Sequence, residues 1–337
     1  MAGRASKESF RTLFEPHRRA ITLHCYRMLG SLQDAEEVVQ EALLRGWQRQ
    51  DELRSPGASR AWLYKIATNA SLDLLKTRRR RALPHLVAPS STKTRLGPPV
   101  EEQLWVEPAP DALLEAADSA AERPDARVSM RESIGLAFVT ALQSLPPKQR
   151  AALLLVDVLG WGPRETAELL ETTIVSVNSL LQRARKGVGA RRVDEAPPGA
   201  PSSEDAALLR RFINTYESGD LDAFTALLAD DVRLSMPPNP EWFAGRDAVR
   251  RFLASIVAAE PREYRLVPLA ANGGPAVAVY ARPVARDVLY VATAINAISF
   301  RGGRVAEMTR FASTKLFPLF GLPAHLPSDD PGSRTGA

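Results

Sequence analysis

The sequence predicts a multidomain chain: two all-α units, then an α+β unit with helices packed on one curved sheet. Three observations carry this. Apolar residues recur at helical spacing across residues 9–81 and again across 128–192. Residues 204–320 open with helical patterns and continue as strand-like runs punctuated by glycine turns. Two stretches with no sustained period, 82–127 and 193–203, separate these segments, and a Pro/Gly/Ser tail at 321–337 is expected to be disordered.

The first unit reads as three helices. Phe10, Leu13, Phe14 and His17 begin an amphipathic helix that runs to Met28-Leu29, where Gly30 supplies a left-handed stop. Ser31 or Asp34 caps the next, whose buried stripe is Ala35, Val38, Val39, Ala42, Leu43, Gly46 and Trp47. Its polar face carries Asp34, Glu37, Gln40 and Glu41. A third helix from Ala58 to about Arg79 buries Trp62, Leu63, Ile66, Ala70 and Leu74 and leaves Arg60, Lys65 and Lys76 outside.

In the second unit, Leu142, Leu145 and residues 153–156 supply the core, with Lys148 and Arg150 expected on its surface. Pro163 to Lys186 then reads as two helices joined by a tight turn at Glu171-Thr172-Thr173. The second helix buries Val177, Leu180, Leu181 and Ala184. Its other face shows Ser176, Asn178, Ser179, Gln182, Arg183 and Arg185, followed by Lys186. These are donors and cations of the kind that reach base edges and phosphates. The pattern predicts a helix-turn-helix with its second helix in a major groove.

Charge is distributed to match. The chain carries a formal +5, but the cations cluster at residues 76–81 and 183–192, with a mostly acidic stretch at 101–125 between them. One cysteine, Cys25, excludes an intrachain disulfide and a cysteine-cluster metal site, and a reducing cytoplasm suits it. His24 beside it reads as a helix residue, since no partner ligands stand at metal spacing. No metal or cofactor is expected. No run approaches membrane-spanning length, so the expectation is a cytoplasmic protein with no membrane contact.

Taken in order, DAEEVVQEALLRGW (34–47), SRAWLYKIATNASLDLLKTRRR (59–80), SLPPKQRAALLLVDVLGWGPRETAELL (144–170) and VNSLLQRARKG (177–187) resemble bacterial RNA polymerase sigma factors of the extracytoplasmic-function class, regions 2 and 4. The resemblance implies roles. Asp34, Glu37, Gln40 and Glu41 would dock on a coiled coil of the polymerase largest subunit. Arg60, Tyr64, Lys65, Asn69, Lys76, Arg78, Arg79 and Arg80 would hold the promoter −10 element, cations on phosphate and Tyr64 or Asn69 on an extruded base. Ser176, Asn178, Ser179, Gln182, Arg183, Arg185 and Lys186 would meet the −35 element. Many members carry basic residues where this chain has Asn178 and Leu180, which leaves fewer cations to grip phosphate. The family's linker, here 82–127, threads towards the polymerase active-site cleft.

The last segment reads as helices at Ala206–Tyr216 and Leu221–Leu228, then strands at Tyr264–Leu269, Ala276–Pro283, Val288–Phe300 and Arg304–Ser313. Asn272-Gly273-Gly274 and Arg301-Gly302-Gly303-Arg304 are hairpin turns. YESGDLDAFTALLADDVRL, WFAGRDAV and GGRVAEMTRF resemble the SnoaL-like, NTF2-type α+β cone. That fold encloses a pocket, so Met236, Trp242, Tyr280 and Asn296 are candidate lining residues for a small-molecule ligand. Asp287 and Glu307 are the only carboxylates in or flanking the last three strands.

The leading reading is therefore a promoter-specificity factor with no catalytic residues, regulated in cis by its cone. Two readings from other classes stand beside it: a SnoaL-like isomerase or hydrolase with a helical regulatory region, and a stand-alone helix-turn-helix repressor. Fold alone does not separate them.

Overall fold

The computed structural model describes residues 7–53, 58–100, 105–113, 135–189, 202–284 and 289–328. The chain forms two compact units. One comprises residues 1–82 and 111–197, the other residues 83–110 and 198–337. No helix among the described residues is long and apolar enough to cross a membrane.

The helical unit contains α1 (Lys7–Leu29), α2 (Leu32–Gln48) and α3 (Ser59–Thr77) from the first predicted segment. From the second it contains α5 (Leu136–Gln143), α6 (Pro147–Leu153), α7 (Pro163–Leu169) and α8 (Ile174–Gly189). The C-terminal half of α1 is buried on every side, including His24, Cys25, Tyr26 and Arg27. Gly30 ends the helix at φ 71°, and its amide donates back to the Tyr26 carbonyl at 2.7 Å. A Cβ there would meet the Gln143 side chain at 2.9 Å, so glycine is needed for conformation and for space. Ser31 caps α2, its hydroxyl accepting from the Asp34 amide at 3.2 Å.

Gln143 and Arg150 bind the second half of this unit to the first. Gln143 Nε2 donates to the Arg27 carbonyl at 3.1 Å, and Arg150 donates to the Met28 carbonyl. The same guanidinium also reaches Gln143 Oε1 at 2.5 Å and the carbonyls of Gln143 and Leu145 at 3.1 Å each. Arg150 is thus 2% exposed, not on the surface as its charge predicts. It satisfies the Met28 carbonyl at the end of α1 and the Gln143 and Leu145 carbonyls at the end of α5. Burial and Arg80 pull its guanidinium down to about 9.

The second unit is the predicted α+β cone. Helices α9 (Ser203–Ser218), α10 (Leu221–Ala226) and α11 (Arg246–Ala259) cover a sheet of strand order β2-β1-β6-β5-β4-β3. Its strands are β1 (Leu228–Ser235), β2 (Trp242–Ala244), β3 (Arg262–Ala271), β4 (Gly274–Pro283), β5 (Tyr290–Arg301) and β6 (Arg304–Phe311), with β7 (His325–Leu326) on β5. The β1–β6 pair is parallel and the others are antiparallel. The sheet face under the helices carries Leu234, Leu266, Val277, Val279, Ile298 and Met308, which close one core with Phe212, Phe224 and Phe252. Sequence patterning misses β1 and β2, because DDVRLS puts charges between its apolar residues and WFA is only three residues long.

The largest departure from expectation is the stretch between the helical segments. Residues 83–100 and 105–110 are not a free spacer but part of the cone. After α4 (Pro84–Val87), Trp242 Nε1 donates to the Ala88 carbonyl at 2.7 Å, and the Ser91 amide donates to the Trp242 carbonyl at 2.7 Å. The strap then runs past α11, where Ser255 donates to the Thr94 carbonyl, and Leu96 packs on the core. Gly97 is held from both sides, its amide by Glu241 at 2.9 Å and its carbonyl by Asn239 at 2.7 Å. At the far end, Ala109 and Asn272 exchange two hydrogen bonds of 2.9 Å, and Pro110 bridges to Ala271. No hydrophobic period announces this, because most of the strap is held through backbone groups.

Candidate nucleic-acid and polymerase interface

The outer face of α2 exposes Glu37, Gln40 and Glu41, while Val38, Val39 and Ala42 pack inward. Glu41 is tied to Arg45 at 2.8 Å, an exposed i,i+4 pair. Asp34 does not join them. It is 5% exposed and holds Arg78 at 3.1 Å and Arg81 at 2.7 Å. Its proposed contact with a partner is corrected: its carboxylate anchors the basic block to α2. The face gains instead Leu44, 51% exposed one turn beyond Gln40 and Glu41. An apolar side chain in the middle of a charged face is a signal the sequence did carry.

On α3 the candidates divide. Arg60 and Lys76 are exposed, and Lys76 pairs with Asp73 at 2.8 Å. Lys65 pairs with Glu171 at 3.1 Å, and Asn69 is partly buried. Arg78, Arg79 and Arg80 are exposed, but Arg80 Nε donates to the Gln143 carbonyl at 2.5 Å. Tyr64 is corrected outright as a base-stacking residue in this conformation. It is 1% exposed, with His24 against it at 5.2 Å and Trp161 edge-on at 5.5 Å. Burial pushes its hydroxyl pKa up. The sequence hid this because Trp161 comes from the other helical segment.

The helix-turn-helix forms as predicted, α7 and α8 joined through Glu171 at φ 51°. The Thr173 hydroxyl accepts from the Ser176 amide at 3.1 Å and opens α8. Val177, Leu181 and Ala184 are buried, whereas Asn178, Ser179, Gln182, Arg183, Arg185 and Lys186 are exposed and Ser176 is partly so. Arg183 folds back on Ser179, with Nη2 3.3 Å from its hydroxyl. Arg185 is clamped bidentately by Asp157 at 2.9 and 2.7 Å, which raises its pKa and withdraws it from the reading surface. Val175, 79% exposed, and Ile174 stand at the start of α8, where a recognition helix meets bases. Apolar side chains there suit a thymine methyl.

In the cone, the four lining candidates do not converge. Asn296 is buried on the helix-side face, paired across β5–β4 with Val277, and Met236 packs on the same core. Trp242 lies opposite Ser235 and is occupied by the strap. Tyr280 sits on the other sheet face, edge-on to Phe317 of α12 (Leu316–Leu319), its hydroxyl donating to the Pro323 carbonyl at 2.9 Å. Glu307 also faces away from the core, 3.0 Å from Arg233 and 3.9 Å from His85. It therefore cannot act as an acid or base inside the cone. Asp287 lies outside the described residues.

These surfaces coincide with known families. The chain matches the models for Sigma-70 region 2 over residues 13–81, Sigma-70, region 4 over 135–187 and the SnoaL-like domain over 209–308. It is 42% identical over 320 residues to the ECF RNA polymerase sigma factor SigG of Mycobacterium tuberculosis, spanning 93% of this chain and 83% of that one. It is 31% identical over 312 residues to SigJ of the same species, spanning 90% and 92%. The crystal structure of the M. tuberculosis sigma factor SigJ superposes with a TM-score of 0.58 at 26% identity, covering 93% of this chain and 99% of that one. With both sigma regions present in order, and such identity along nearly its whole length, the chain belongs to the ECF RNA polymerase sigma factors and carries a SnoaL-like domain after them.

Proposed function

We propose that this sigma factor directs promoter-specific initiation through three surfaces and is restrained in cis by its cone. Glu37, Gln40 and Glu41, with Leu44 among them, dock on the coiled coil of the polymerase largest subunit. The charges fix register and the leucine supplies the desolvated centre. Arg60, Asn69 and the exposed cations of 76–80 take the −10 element. Asn178, Ser179, Gln182 and Arg183, together with Val175, read the −35 element.

The observation that supports cis regulation is the strap. Residues 83–110 form the first part of the chain between region 2 and region 4, and in this family that linker enters the polymerase cleft. Here the same residues are held by Trp242, Glu241, Asn239 and Asn272 of the cone. Binding polymerase and binding the cone are competing uses of one segment, so the strap equilibrium sets the fraction of competent factor.

The test is run-off transcription with purified core polymerase. A Trp242→Ala/Asn272→Ala variant, shown by limited proteolysis to release residues 83–110, is expected to raise run-off severalfold at limiting factor. Unchanged run-off from a released strap would defeat the regulatory reading while leaving the promoter-binding one intact.

A further inference from the structure

We infer that the cone of this chain holds an anion-binding site, built around Arg310, for a ligand with an apolar body and a single carboxylate or comparable anionic group. The inference rests on the cone alone and does not require the strap to regulate anything.

Register places the site. Arg310 pairs with Asn296 across β6–β5, and Asn296 pairs with Val277 across β5–β4. Directly paired residues point to the same sheet face. Val277 belongs to the core beneath the helices, so Asn296 and Arg310 point there too. Met236 continues β1 one residue beyond the Ser235–Thr309 pair, which sets it beside Arg310. This row is therefore apolar except for one carboxamide and one guanidinium.

The hydrogen-bond partners of Arg310 are neutral. Its Nη1 lies 3.5 Å from Asn296 Oδ1 and its Nη2 3.3 Å from the Thr293 hydroxyl. Four other sheet arginines hold a carboxylate, Arg233 with Glu307, Arg262 with Glu260, Arg282 with Glu263 and Arg301 with Asp231, while Arg304 on an exposed edge donates to the Ala226 carbonyl and Arg265 stacks on Tyr290. No carboxylate among the described residues pairs with Arg310. A partly buried cation facing a hydrophobic core, with only neutral oxygen partners, is unfavourable unless an anion joins it.

The neighbours define what that anion is attached to. Burial raises the pKa of Tyr264 and the charge of Arg310 counters this, while the ring meets Tyr216 edge-on at 5.1 Å. Both rings, like Met236, are only partly buried against the core. The guanidinium fork presents two donors to a planar carboxylate, Asn296 can turn its amide to the same group, and the rings and Met236 take an apolar body. Glu307 lies on the opposite face and takes no part in this site.

The experiment compares 2-naphthoate with 2-naphthamide, a neutral molecule of the same shape, by calorimetric titration of the full chain. The expected result is at least tenfold tighter binding of the naphthoate. Arg310→Met should bring naphthoate down to the affinity of the amide, with Arg310→Lys between them. Equal affinities for acid and amide in the unaltered protein would overturn the proposal without recourse to any variant. So would no naphthoate binding at millimolar concentration, or unchanged binding by a folded Arg310→Met protein.

Discussion

His24 shows how far one residue can be read from its surroundings. It is fully buried in α1, its Nε2 2.9 Å from the Thr68 hydroxyl, and burial together with Arg27 pulls its pKa down from 6.5 to about 3. The folded protein keeps it neutral where the unfolded chain would protonate it. Its contribution to stability is complete above pH 6.5 and is lost as pH falls towards 3, by about 1.4 kcal/mol per pH unit. Urea unfolding at pH 7, 5.5 and 4.5 should show this slope, and a folded His24→Gln variant should show a flatter one. Arg150 is the second such residue. Arg150→Met removes the donors that serve Met28 and Leu145 while keeping most of the volume, and should cost roughly 3 kcal/mol in the same assay. A cost below about 0.5 kcal/mol, the level of an ordinary surface change, would mean the carbonyls find water instead.

At the scale of the element, α2 and α8 each present one exposed polar face, and their neighbours decide which residues remain available. Glu37→Lys/Glu41→Lys should abolish co-purification with core polymerase without altering the circular dichroism, because both side chains are exposed and neither packs the core. Retention of the complex at moderate salt would rule this face out. On α8, Gln182→Ala or Arg183→Ala should weaken −35 binding and relax preference at one base position, a discrimination loss of about 1–3 kcal/mol. Arg185→Ala should do less than its charge suggests, since Asp157 already holds that side chain. The basic block behaves differently again. Arg78 and Arg81 both bind Asp34, so neutralising them is expected to lower stability as well as salt-dependent affinity on all sequences.

In the helical unit taken whole, regions 2 and 4 cover residues of one another. Trp161 of region 4 closes over Tyr64 of region 2, and Glu171 at the helix-turn-helix turn takes Lys65. A −10 single strand offered to the protein alone therefore meets a surface with its aromatic residue buried. Trp161→Ala is expected to raise binding of a single-stranded −10 oligonucleotide by the free protein severalfold, measured by fluorescence anisotropy. The gain should vanish in the presence of core polymerase, where the regions bind separate promoter elements. An equal or weaker interaction in the folded variant would show that Tyr64 is core and nothing more.

Local patterning determined the helices of both sigma regions, the helix-turn-helix, and the glycine hairpins of the cone. In these the period of apolar residues and the cap or turn chemistry agree within a few residues of chain. It also put Glu37, Gln40, Glu41, Asn178, Ser179, Gln182 and Arg183 on exposed faces, since a helix face follows from spacing alone. Tertiary structure decided the rest. Asp34, Tyr64, Arg150 and Arg185 are committed to partners many residues away, and no local signal distinguishes a charged residue that meets solvent from one that meets Asp157 or the end of α1. The strap was illegible for a related reason: it is anchored largely through backbone amides and carbonyls, which every sequence possesses, on side chains of a domain that follows it by more than a hundred residues.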